Sequence, residues 1–184
     1  VCMKRIVFVY PPFAPATTPP FSITNLVAFL SNNLPDSFSC DVFDANLVLQ
    51  RKLAPAFFSF IDGLASCETS TYRHEVQKYM NFMQPFLDAS SSDACGSGDT
   101  SDMSVLYGLL CQDISSKNPD YVAFSVLFES QAIYLLPLIR MLRDRGYRVI
   151  CGGPAITDDI TKESDVILQN ELELLSYLLG EEIA

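Results

Sequence analysis

Long apolar runs are missing from this chain. No uninterrupted stretch approaches the ~18 residues that a membrane-crossing helix needs. The N-terminal apolar stretch, residues 6–10, runs straight into Pro11-Pro12 and is too short for a signal-peptide core. Closely spaced cysteines are missing too: Cys2, Cys40, Cys67, Cys95, Cys111 and Cys151 form no CxxC and no CxxxCxxC. That scatter argues against a zinc site or a locally ligated iron–sulfur cluster. Read instead as reduced small hydrophobes, the cysteines fit a reducing cytoplasm. Positive charge is also scarce, with 12 Lys and Arg against 22 Asp and Glu and a net charge of −10. An acidic surface repels phosphate backbones and anionic headgroups, so neither nucleic acid nor a membrane surface is an expected partner.

What is present is apolar. Hydrophobic residues make up 49% of the chain and charged residues 18%, enough to bury a core and offset the entropy of ordering. The length of 184 residues suits one domain, 1–184, better than two.

Strand and helix signals alternate, the pattern of a parallel sheet covered on both faces. Residues 4–10 (KRIVFVY) form a continuous β-rich run. Ser22 is the expected cap of a helix whose stripe is Ile23, Leu26, Val27 and Leu30. Residues 40–43 (CDVF) form a second strand. A helical insertion is expected over 47–102, with an aromatic-rich helix near 56–64, a second helix over 71–87 and a small, polar, mobile loop at 89–102. Asp102 is the expected cap of the next helix. Residues 121–127 (YVAFSVL), 148–151 (RVIC) and 166–168 (VIL) complete five strands, with helices at 130–145 and from Asn170 onward. Asn170 with Glu173 three residues later reads as a capping box, and Leu172, Leu175 and Leu179 as that helix's inner face. The expected fold is α/β: a flavodoxin-like, doubly wound parallel sheet in the order 2-1-3-4-5.

In such a sheet the ligand crevice lies beyond the carboxyl ends of the strands. The loop after the first strand, PPFAPATTPP, contains no glycine, which excludes a dinucleotide fingerprint and a P-loop. It contains no acid either, which removes a phosphorelay receiver. Thr17, Thr18 and Ser22 leave open a phosphate loop of a small flavin or nucleotide binder.

Ser125-Val126-Leu127 ends the third strand, and Gly152-Gly153 ends the fourth 27 residues after Ser125. Glycines there leave room for a bulky tail between sheet and helices, and a neighbouring hydroxyl can hydrogen-bond it. A tight turn and a satisfied core serine would account for the same residues. Together with IVFVYPPFAPATTPPFSITNLVAFL, FDANL and PDYVAFSVLFES…GYRVICGGPAIT, the pair resembles the cobalamin-binding domain of cobalamin-dependent radical S-adenosylmethionine enzymes. The resemblance covers the chain outside 47–102. The D-x-H-x-x-G of other cobalamin domains is absent, and the only histidine, His74, falls in the insertion as a surface residue. The family's G-E-G-E after the fifth strand is replaced by Asn170-Glu171-Leu172-Glu173.

The resemblance implies base-off cobalamin with no protein imidazole on cobalt. Its binding residues would be Pro12 and Phe13 after the first strand, Asp44 after the second, and Ser125, Leu127 and Phe128 after the third. Gly152, Gly153 and Pro154 would follow the fourth strand, and Asn170 and Glu171 the fifth. It implies no catalytic residue here and no protein metal ligand. S-adenosylmethionine and a [4Fe–4S] cluster would belong to a partner radical S-adenosylmethionine domain, in the same polypeptide or in a separate subunit acting in trans. A degenerate domain that serves as an interaction module without cofactor is the alternative.

Overall fold

A computed structural model describes residues 3–15, 20–63, 68–88 and 100–180. Its strands are β1 (Lys4–Tyr10), β2 (Phe38–Asp44), β3 (Tyr121–Ser125), β4 (Arg148–Gly152) and β5 (Val166–Leu168). They form one parallel sheet in the order β2-β1-β3-β4-β5, the expected flavodoxin-like arrangement. The apolar runs of β1, β3 and β4 are buried on both faces, as central parallel strands require. β2 and β5 are the outer strands. The register sets Ser125 opposite Gly152, and Gly152 opposite Leu168.

The helices are α1 (Phe21–Asn33), α2 (Ala45–Leu53), α3 (Pro55–Asp62), α4 (Thr69–Leu87), α5 (Thr100–Ser116), α6 (Glu129–Asp144), α7 (Asp158–Glu163) and α8 (Glu171–Leu179). Side chains alternate across the strands, so the sheet feeds two cores. Val7, Val9, Val122, Phe124, Val149 and Cys151 face α2 to α7. Ile6, Phe8, Ala123, Ile150 and Leu168 face α1 and α8. The insertion is not a separate body: Phe58 of α3 and Tyr79 and Met83 of α4 belong to the first core.

Several local expectations change. Helix α1 begins at Phe21 with Pro20 as its cap, so Ser22 lies inside the first turn. Strand β2 extends to Asp44, whose side chain accepts the Leu47 amide and starts α2 there. Helix α5 begins at Thr100, which puts Asp102 inside it rather than at its cap; residues 89–99 of the expected mobile loop lie outside the described residues. Asn170 does cap α8, accepting from the Leu172 and Glu173 amides, but Glu173 reaches back to the Gln169 amide. The inner face of α8 is Leu174 and Leu178; Leu172 is 63% exposed. Among the described residues, no helix is long and apolar enough to cross a membrane.

Candidate functional site

A cleft of about 350 Å³ opens between the sheet and the α1/α8 layer, at the carboxyl ends of the strands. That volume lies at the lower end of small-molecule sites. Its floor is Phe8, Ala123, Ile150 and Leu168; Leu26 and Phe29 of α1 form one wall and Leu174 of α8 the other. Ala123, the short side chain on the floor at β3, leaves the space. Around this apolar floor stand Ser22, Asn25, Ser125, Asn170 and Glu171. The Ser125 hydroxyl donates to Ser22 Oγ at 3.3 Å, bridging β3 and α1.

Five of the residues implied by the resemblance meet here: Ser125, Gly152, Gly153, Asn170 and Glu171. The other six do not line the cleft. Phe13 is fully buried on the far side of the sheet, with its ring centroid 4.7 Å from those of both Phe86 and Tyr134. Pro12 is buried beside it. Asp44 is spent as the α2 cap, and burial raises its pKa. Leu127 and Phe128 pack against the second core, and Pro154 is exposed. Residues 11–15 are too tightly held from below to reach into the cleft. Gln131 donates to the Pro11 carbonyl, Ser130 to the Phe13 carbonyl, and Asn46 accepts the Ala14 amide.

The glycines have a different reason from the one expected. A β-carbon on Gly152 would sit 2.7 Å from the Leu168 carbonyl oxygen, against the backbone of β5. One on Gly153 would run into the Val126 carbonyl, and its φ of +116° already disfavours a side chain. Both absences are demanded by neighbouring backbone, not by empty space in the cleft.

No family model and no curated protein matches this sequence. The cleft therefore has to be read from its own chemistry. Cys151 borders the cleft, but its side chain belongs to the core on the other face of the sheet, where burial pushes the thiol up to about 12. Among the described residues, no three His, Cys, Asp or Glu side chains come together to hold a metal ion. His74 is exposed on α4, which packs on the opposite side of the sheet.

Sequence reasoning missed Asn25 and Ala123, and offered Ser22 only as a helix cap and a phosphate-loop hydroxyl. Ser22 stands three residues before Asn25 on α1, and both line the cleft.

Proposed function

We propose that this chain is a cobalamin-binding domain that receives the flat base of the corrinoid's nucleotide tail in the α1/α8 cleft. It would present the corrinoid to a radical S-adenosylmethionine domain in the same polypeptide or in a separate subunit. The observation that carries this reading is the cleft itself: an apolar slot at the carboxyl ends of the strands, floored by Ala123 and edged by Ser125 and Ser22. These residues fit a flat, apolar ring. Bound cobalamin would supply the methyl-transfer or radical chemistry; the chain's own part is to bind, orient and exclude water. With His74 in the opposite layer, no imidazole of this chain is offered to cobalt from the cleft side.

A second reading, an interaction module without cofactor, is favoured by one specific observation. Gly152 and Gly153 are already explained by adjacent backbone, so they no longer argue for a ligand. One experiment separates the two. Protein incubated with hydroxocobalamin and then desalted should retain a corrinoid spectrum in base-off form. Ala123→Leu, which fills the cleft floor, should abolish retention while leaving the melting temperature near that of the parent. Absence of a retained corrinoid in the parent protein gives the lead to the interaction module.

A further inference from the structure

We propose a second binding site at the opposite end of the sheet from the cleft. There, at the amino ends of the strands, Lys4 and Arg148 hold a small oxyanion carrying two or more negative charges. The proposal stands apart from whatever the cleft binds.

The sheet brings the two cations together. A hollow of about 280 Å³ is lined by Lys4, Asp120, Tyr121, Gly146 and Arg148. Strands β1 and β4 are both neighbours of β3, and Tyr121 pairs with Ile6 on one side and with Arg148 on the other. Alternation puts Lys4 on the face of Ile6 and Arg148 on the face of Ile150, both toward the α1/α8 layer. Two long cationic side chains therefore flank the start of β3 on one face. Tyr121 stands between them, its ring edge-on to that of Tyr177 in α8 at 6.4 Å.

Elimination singles out the same pair. Half of the 12 Lys and Arg residues form ion pairs. Lys4, Arg5, Arg145 and Arg148 form none among the described residues, and all four sit at the starts of β1 and β4 or in the turn before β4. Arg5 is committed to the Lys117 carbonyl, and Arg145 to Ser115 Oγ. The Lys4 ammonium lies over the Phe38 ring at 5.5 Å and has no carboxylate partner among the described residues; nor has the Arg148 guanidinium. Asp120 is the one acid of the hollow, and its Oδ2 accepts the Arg5 amide at 2.7 Å. Two cations thus face one carboxylate.

Charge and size select the ligand. A guanidinium offers a planar fork to two oxygens of one anion, and an ammonium adds a point charge beside it. A monoanion answers one of the two cations; a dianion answers both. The chain carries −10, so a large acidic partner meets repulsion across its whole surface. A small anion inside the hollow is nearest the two cations, while charges beyond about 8–10 Å are screened by salt. Phosphate-like chemistry fits better than an acidic protein.

The test is an NMR titration of the full chain at neutral pH and low salt, with inorganic pyrophosphate as the probe and acetate and a polyglutamate peptide for comparison. Pyrophosphate should shift the amides of residues 4, 120–121 and 146–148 to saturation and bind at least about tenfold tighter than acetate. Lys4→Gln and Arg148→Gln, both at exposed positions, should each weaken it about tenfold with unchanged melting temperatures. Asp120→Asn, which keeps an oxygen for the Arg5 amide, should tighten it. Shifts that never saturate or scatter over the surface overturn the proposal, as does parent-like affinity in both glutamine variants. Tighter binding of polyglutamate than of pyrophosphate at these residues overturns it too, and makes the hollow a docking point for an acidic protein.

Discussion

On the α2/α6 side of the sheet, polar side chains are buried and put to use; on the α1/α8 side, space is left between sheet and helices. The buried Asn46, Gln50, Ser130 and Gln131 all belong to the first side, and each bonds to the main chain of residues 11–15. Tyr79 of the insertion extends this set by donating to Gln50 Oε1. Loop 11–15 is thus fixed from one face. A fully satisfied polar network specifies one backbone arrangement, and a gap beside apolar side chains forgoes packing contacts. The contrast assigns rigidity to the insertion side and capacity to the α1/α8 side.

The largest effect tests whether the open side is loose throughout. It should not be loose in its backbone. Gly153→Ala, driven into the Val126 carbonyl at positive φ, should cost about 3 kcal/mol or more in urea unfolding. Gly146→Ala, also at positive φ but with nothing within 4 Å, should cost only about 1 kcal/mol. Equal losses would mean that the close approach at the cleft mouth is illusory.

Core truncation comes next. Leu135, fully buried on the sealed side, should lose ~2–5 kcal/mol on conversion to alanine. That corresponds to a fall of roughly 5–15 °C in melting temperature. Leu26→Ala, on the cleft wall, should lose well under half as much, because its side chain already borders open space. A comparable loss at both sites would erase the difference between the faces.

Tyr79→Phe should cost about 1 kcal/mol, since it leaves the buried Gln50 oxygen without its donor. The same change should speed proteolysis within loop 11–15 more than a surface change such as Lys162→Ala does. An unchanged cleavage pattern would detach the insertion from that loop.

Acid supplies the smallest effect. The Lys117 ammonium, 2.7 Å away, holds the Asp41 carboxyl below its ordinary pKa. Its contribution is present above the unfolded value of about 3.9 and is lost as pH falls through the lower folded value. Burial moves Asp44 the opposite way, so protonating it as pH falls favours the folded state. Asp41→Asn should therefore flatten the acid limb of the stability curve by at most about 1 kcal/mol, the pair being half exposed. An unchanged acid limb would remove the pair from the balance.

The sheet order and the placement of the central strands were legible because their apolar runs are continuous and their turns well marked. Helix α2 was not, and the reason is the same network. Asn46 and Gln50 point inward, so the polar residues of ANLVLQRKL fall on the buried face and blur its periodicity. In α8 the difficulty was the reverse. Leu172, Leu174, Leu175, Leu178 and Leu179 wrap more than one stripe, and the sequence alone does not say that Leu174 and Leu178 face the sheet. Helix α7, six residues with Ile160 as its one buried side chain, is too short to show a period. Of the site, the strand ends were legible, whereas Ala123 and Asn25 were not: a small floor residue matters only once the helices that fail to fill the gap are in place.

The outer strand β2 carries its own consequence, one of company rather than of shape. Its seven residues end the sheet, so its outward amides and carbonyls form a ready template for another strand. Asp41 stands at its midpoint, its carboxylate tied to Lys117. A second copy laid antiparallel about that midpoint would bring two carboxylates together and strip water from both ion pairs. A charge that adds little to folding thus opposes the edge-to-edge pairing of two copies.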